Sequence, residues 1–345
     1  MRKRFDEVDL LRAFGILGVI IVHILTYHLT SPIYIFFWNY LQFVVVAFVF
    51  CSGFVLSSIY QNSLDTISKT LLWYKKRFIR LIFPFWIYLL VHYSLWILFP
   101  QFFQGLGLIK TPLYFFQSAI FIGGTNFNWL PLLFLQLTFL FPIFTNLISK
   151  NKKILAVYII FAIIVTAIFT FLTFPYSYYR LAMFIPWSLV LLVAIFVAVQ
   201  VKKEKPKFSI DKVYLILGIV FFAQFISLYI SNLGTGRSLN FYDHKYPPDF
   251  YYLFFGLALT CFVLIIARLK FWQNPTLKKV YFYISNNSYQ IFFTHYILLD
   301  LILTLSRKNA FLQNPVLEFV IILSLSLILT FIFNQRSKIL PKKNV

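Results

Sequence analysis

Ten stretches of about twenty residues, almost free of charge, follow one another along a chain of 345 residues. A hydrocarbon core about 30 Å thick takes about 20 apolar residues per helix, so stretches of this kind commit the chain to crossing a membrane repeatedly. Runs such as 215–230 and 250–267 are apolar on almost every face, whereas barrel strands alternate in polarity. Hydrophobic residues make up 61% of the chain and charged residues 12%, far from the roughly half and quarter of soluble domains. A water-soluble globule is thereby excluded.

The expected fold is all-α and polytopic, with about ten transmembrane helices. They fall near 9–29, 36–60, 80–99, 129–149, 153–173, 178–201, 212–231, 249–269, 284–305 and 313–334. The stretch 112–122, which runs into Gly123-Gly124, is too short to cross and reads as a re-entrant or interfacial piece. No internal repeat or low-complexity segment divides the chain, so residues 1–345 read as one integral-membrane domain.

Charge sets the expected orientation. With the N-terminus in the cytoplasm, 24 Lys and Arg fall on the inner side and 6 on the outer side, and Arg12 lies within the first helix. This asymmetry predicts that both termini are cytoplasmic. It also explains the net charge of +21 as membrane orientation, since the basic residues cluster between apolar runs and form no stripe for nucleic acid. The basic start and the apolar run 13–22 imitate a signal peptide, but Asp6, Glu7, Asp9 and Arg12 separate them, and the first helix is expected to be retained. Cys51 and Cys261 sit inside apolar runs and suggest neither a disulfide framework nor a metal site.

Ionisable groups within a span cost several kcal/mol unless paired or hydrated, which makes each one a functional suspect. The first helix holds Asp9, Arg12 and His23. At about 100° per residue all three share one face, and Arg12 and His23 lie about 16 Å apart along the axis. One face thus presents a cation at the inner mouth and an imidazole past mid-depth. A structural alternative stands beside this: Arg12 snorkelling with Asp9 as partner, and His23 as a buried hydrogen-bonding histidine. His92 and His295 also fall within spans, but no thiol joins them and Asp300 lies on a different face from His295, so no metal site is expected.

Asp9-Leu-Leu-Arg12, followed by ten residues and His23, resembles the Arg-x10-His signature of membrane-bound acyltransferase family 3. Three further stretches agree in order: Ser52-Gly53-Phe54 in the second span, the basic entry Tyr74–Trp86 with Arg77, Arg80 and Pro84, and Ser285–His295 with its Ser-Tyr-x-Ile-x-x-x-His pattern. The match is closest to stand-alone members acting on cell-surface glycans, including the intercellular-adhesin type. One departure is Gln136, where many members carry a Glu after a Trp.

The resemblance implies an integral-membrane O-acyltransferase of a bacterial cell membrane. Its acyl group, usually acetyl, comes from cytoplasmic acyl-CoA, a co-substrate rather than a bound cofactor, and goes to a carbohydrate hydroxyl facing outward. Membrane lipids are the other expected partner, and nucleic acid is not one; the chain carries no signal for oligomeric state. His23 and His295 are the implied catalytic residues, with Arg12, Asp9, Ser52, Gly53, Arg77, Arg80 and Trp129 as substrate contacts. A cationic mouth suits the phosphates of a coenzyme, and a neutral His23 suits a general base; an acyl-histidine intermediate is a second route. Ser52 and Gly53 equally suit close helix packing, Arg77 and Arg80 an ordinary inner loop, and Trp129 an interfacial aromatic belt. The competing class is a transporter or flippase for a polysaccharide or lipid-linked sugar, although two repeated halves with broken helices are not evident.

Overall fold

The computed structural model describes residues 4–60, 63–64, 66–171, 179–202 and 209–339. In chain order its helices are α1 (Asp6–Leu25), α2 (Pro32–Tyr40), α3 (Val44–Tyr60), α4 (Ile67–Leu98) and α5 (Pro112–Ala119), then α6 (Trp129–Lys150), α7 (Lys152–Phe171), α8 (Tyr179–Ala182) and α9 (Phe184–Lys202). They continue with α10 (Ile210–Thr235), α11 (Phe250–Ile266), α12 (Pro275–Ser306) and α13 (Pro315–Ile339), and no strand occurs among the described residues.

Nine spans among the described residues are long and apolar enough to cross a membrane. The tenth expected span is α11, which is apolar but only 17 residues long. It is cut short by its ends: Asp249 caps its start by accepting the Tyr252 N–H at 3.0 Å, and turns at Ala267 and Arg268 close it. The short piece expected at 112–122 contains α5, with eight residues.

Helix α1 starts with Asp6, Glu7 and Asp9 in its first turn, where carboxylates favour the positive end of the helix dipole. Its apolar residues point in all directions, and two-thirds (67%) of its apolar window is buried, against 11% for α7 and 17% for α10. Helix α1 therefore occupies the centre of the bundle, against α3 and α12, and α7 and α10 form its lipid-facing periphery.

Backbone outside the helices must be satisfied within the protein at membrane depth. The segment after α5 meets that demand: Asn128 Nδ2 donates to the carbonyls of Ser118 and Gly123 at 3.1 and 2.8 Å, and Arg180 donates to Gly123 at 3.0 Å. Gly124 turns there with φ +73, and a Cβ would lie 2.0 Å from the Ser118 hydroxyl, so only glycine fits.

Polar pairs tie the two ends of the bundle. At the N-terminal end Lys278 meets Asp6 at 2.6 Å, and Arg268 meets both Glu7 and Asp211. At the opposite end His92 meets Asp300 at 2.9 Å, and the Asp300 carboxylate also accepts the N–H groups of Gln104, Gly105 and Leu106, pinning that loop. His28 meets the fully buried Glu318 at 2.9 Å.

The loop 236–249 closes on itself through His244, whose Nδ1 lies 2.6 Å from Asp249 and whose Nε2 lies 2.8 Å from the Ser238 carbonyl. Burial disfavours charge on His244, but Asp249 and the Ser238 carbonyl outweigh it and raise its pKa above the usual 6.5. A base whose folded pKa is raised stabilises the fold fully below its unfolded pKa, and loses that contribution as pH rises through the folded value. Neighbouring Lys245, pushed down by burial to about 7, acts in the opposite sense, so the effect is best read by difference. Asp249→Asn keeps the cap and removes the charge. Melting curves should show it destabilised by on the order of 1 kcal/mol below pH 6.5, with a smaller deficit at pH 9; an equal deficit at both would deny the ion pair.

Candidate active site

Helix α1 is unbroken from Asp6 to Leu25, so Arg12 and His23 keep their axial separation of about 16 Å on one face. Each of them meets a different part of the bundle.

His23 meets His295. Its Nδ1 lies 2.9 Å from His295 Nε2, with the rings stacked at 5.2 Å and 16°. The hydrogen-bond partners assign the tautomers. His295 Nδ1 is 3.0 Å from the Ile291 carbonyl, which only accepts, so Nδ1 carries the hydrogen. The neutral His295 then offers a lone pair at Nε2, His23 donates to it from Nδ1, and the lone pair of His23 is left on Nε2. That nitrogen makes no hydrogen bond among the described residues. Two imidazoles in this arrangement can act as an oriented base, with His295 in the place a carboxylate holds in a triad.

Arg12 meets a cavity. About 250 Å³ opens between α1, α3, α4, α6 and α12, lined by Arg12, Ser52, Arg77, Arg80, Ser285 and Ser288 together with Leu130, Phe134 and Phe292. Three guanidinium groups from two helices converge on it. Asp9 does not partner Arg12: it binds Arg4 Nε at 2.6 Å and accepts from Ser285 Oγ at 2.6 Å. Among the described residues Arg12 has no hydrogen-bonding or ion-pair partner, and Arg77 Nε is buried without one. A buried donor without a partner, with two further guanidinium groups on the same cavity, is a setting that can take an anion. Phe292 is the shared wall between the two parts: it lines the cavity, stacks on Phe127 at 4.7 Å and stands 5.8 Å from His295. Phe127 in turn stands 5.9 Å from His23.

The other expected site residues divide. Ser52 lines the cavity, and Asp9 acts on it indirectly by holding Ser285 and Arg4, which reaches Asn286 on the cavity wall at 3.4 Å. Gly53 points elsewhere: a Cβ there would lie 2.8 Å from Leu191 and 2.9 Å from Ala194, so its role is the close approach of α3 to α9. Trp129 lies away from the cavity, edge-on to Tyr246 at 5.0 Å and beneath the Lys245 ammonium at 5.4 Å. Gln136 donates to the Arg180 carbonyl at 2.9 Å, and its own oxygen is buried without a partner. His92 is engaged by Asp300 and Tyr88. No three His, Cys, Asp or Glu side chains gather as a metal set among the described residues.

A family model described as an acyltransferase domain matches residues 5–335. The chain belongs to acyltransferase family 3. This acyltransferase is a multi-pass membrane enzyme, and the transporter class is set aside. No curated protein and no solved structure matches the chain.

Sequence reasoning named His92 and Asp300 without pairing them, and passed over the buried Glu318 and Lys245. Asp300 and Glu318 had a usable signal, since a carboxylate within an apolar run is a functional suspect by default. Lys245 had none, because a lysine in a polar loop reads as solvated. The geometry at Gly53 separates packing from substrate contact. Gly53→Val should lower the melting temperature, with an overpacking penalty of about 1–3 kcal/mol, while donor affinity per folded molecule stays within about twofold of wild type. A well-folded variant with lost affinity would return Gly53 to the binding site.

Proposed function

We propose that this acyltransferase moves an acyl group, acetyl in the first instance, from acyl-CoA to a carbohydrate hydroxyl. The donor enters at the N-terminal end, which the excess of basic residues assigns to the cytoplasm. The acceptor approaches from the opposite end, at the outer face of a bacterial plasma membrane. The observation that carries this reading is the His23–His295 pair on the helix face that carries Arg12, about 16 Å along α1 from that arginine, with a cavity lined by three arginines at its other end.

The chemistry follows from that spacing. Arg12, Arg77 and Arg80 hold the coenzyme's phosphates, and the pantetheine arm runs inward along α1 past Ser52 and Phe292. His23 Nε2 takes the acceptor hydroxyl's proton as its oxygen bonds to the acyl carbon. His295 Nε2 stabilises the imidazolium that results by accepting its Nδ1–H. When the C–S bond breaks, the thiolate takes the proton back. Aromatic faces at the opposite end, Trp129 and Tyr246 among them, suit a sugar ring.

Two measurements on protein in nanodiscs test this. In the first, His23→Ala should cut transfer from acetyl-CoA to an oligosaccharide by about 10²-fold or more, with His295→Ala intermediate because the base survives without its orienting partner. Near-normal turnover of folded His23→Ala would remove the base. In the second, titration calorimetry with a non-hydrolysable acyl-CoA analogue should show weaker binding in Arg12→Ala, an intermediate value in Arg12→Lys, and partial loss in wild type on adding salt. Unchanged affinity in Arg12→Ala would disprove the arginine mouth.

A further inference from the structure

The Lys245 ammonium is an unusual object for a loop. Only 6% of the residue is exposed, and Nζ has one hydrogen-bond partner among the described residues, Gln42 Oε1 at 2.9 Å. Its remaining surroundings are the rings of Trp129 and Tyr246, at 5.4 and 5.3 Å. An ammonium has three N–H donors, and two of them are left with π faces alone. Burying a cation this incompletely satisfied opposes folding, and packing against Gln42 would be served equally by a neutral side chain.

The fold spends effort on aiming this group. Gln42 is itself 1% exposed and held at both ends: its Nε2 donates to the Trp38 carbonyl at 3.0 Å, and its own backbone carbonyl accepts the Tyr252 hydroxyl at 2.7 Å. An amide fixed in that way can present Oε1 in only one direction, which is toward Lys245.

Depth along α1 locates the group. Trp38 Nε1 donates to Thr26 Oγ1 at 3.0 Å, and Val44 packs against Gly18, where a Cβ would lie 2.6 Å from it. Gln42 lies between these two contacts, whose levels on α1, Gly18 and Thr26, bracket His23. A second path agrees. Phe127, 5.9 Å from the His23 ring, is two residues before Trp129, over whose ring Lys245 sits.

We propose that Lys245 is a further catalytic residue of this acyltransferase, its ammonium donating to the oxygen anion that forms when the acceptor hydroxyl adds to the acyl carbonyl. The inference rests on the acyl-CoA reading above. In the addition step the acceptor oxygen bonds to the acyl carbon, its proton passes to His23 Nε2, and the carbonyl π pair moves onto the carbonyl oxygen, where Lys245 donates. As that pair returns, the C–S bond breaks and the coenzyme's thiolate takes the proton from His23. The anion exists only between these events, so a donor fixed beforehand in a water-poor site stabilises it more than it stabilises the bound thioester.

The test compares wild type with Lys245→Met in nanodiscs, using acetyl-CoA and a hexose oligosaccharide mixture. Lys245→Met should lose about 10²–10³-fold in kcat, the usual effect of removing one oxyanion donor. KM for both substrates should stay within about threefold, since ground-state binding is untouched. In Lys245→Ala, added methylammonium should restore part of the turnover, which a purely structural lysine would not allow. If Lys245→Met does not fold, the same constants are read in Lys245→Gln. A variant with kcat within about threefold of wild type overturns the inference and leaves the enzyme's function standing. A raised KM for the oligosaccharide at unchanged kcat also overturns it, and makes Lys245 an acceptor anchor. Wild type that consumes no acetyl-CoA overturns the functional reading, and this inference with it.

Discussion

Three polar contacts lock α1 to α12: Asp6 with Lys278 and Asp9 with Ser285 near the N-terminal end, and His23 with His295 deeper in. Apolar helix faces in a bilayer slide past one another at little penalty, because lipid is as apolar as the neighbouring helix. A hydrogen bond between side chains does not slide. With contacts at both levels, α1 and α12 are fixed in register and rotation. The faces carrying Arg12 and Ser288 are thereby turned toward the same cavity.

Partnering separates the structural polar groups from the chemical ones. Asp6, Glu7 and Asp9 are consumed by Lys278, Arg268 and Arg4, and Asp300 by His92 and three backbone N–H groups. What is left over is cationic and concentrated: Arg12, the Nε of Arg77, and Arg80 at the cavity. Carboxylates that would otherwise neutralise the mouth are held at the rim of the bundle. The three arginines at the cavity are thereby left without a carboxylate partner among the described residues, whereas Arg4, Arg268 and Lys278 are cations whose charge is answered within the protein.

At the far end the same bookkeeping yields rigidity. His92 with Asp300 and His28 with Glu318 each join parts of the chain distant in sequence, and His244 with Asp249 closes a loop on itself. These ties leave the loop 236–249 with little freedom, and a lysine buried in it is held in place by the loop as well as by Gln42. The enzyme thus has a charged cavity toward one end, joined by one central helix to an aromatic cluster toward the other. Phe127 and Phe292 stand between the two.

Composition and order of residues along the chain determined the spans, because whether about twenty consecutive residues are apolar is a local property set against a fixed hydrocarbon thickness. All ten segments, and the short piece before α6, are recoverable that way. The shared face of Asp9, Arg12 and His23 was legible for the same reason, since a single helix carries all three and its rise and twist are known. Packing decided what those residues do. That Asp9 turns to Ser285 rather than Arg12, that His295 orients His23, and that Gly53 belongs to the α3–α9 contact depend on neighbours far away in sequence. Lys245 is the clearest case: a polar loop in the sequence becomes a buried ammonium only once Gln42, 203 positions earlier, and Trp129 close over it. Pairings of that kind follow from three-dimensional contact between elements whose order along the chain does not specify which faces meet.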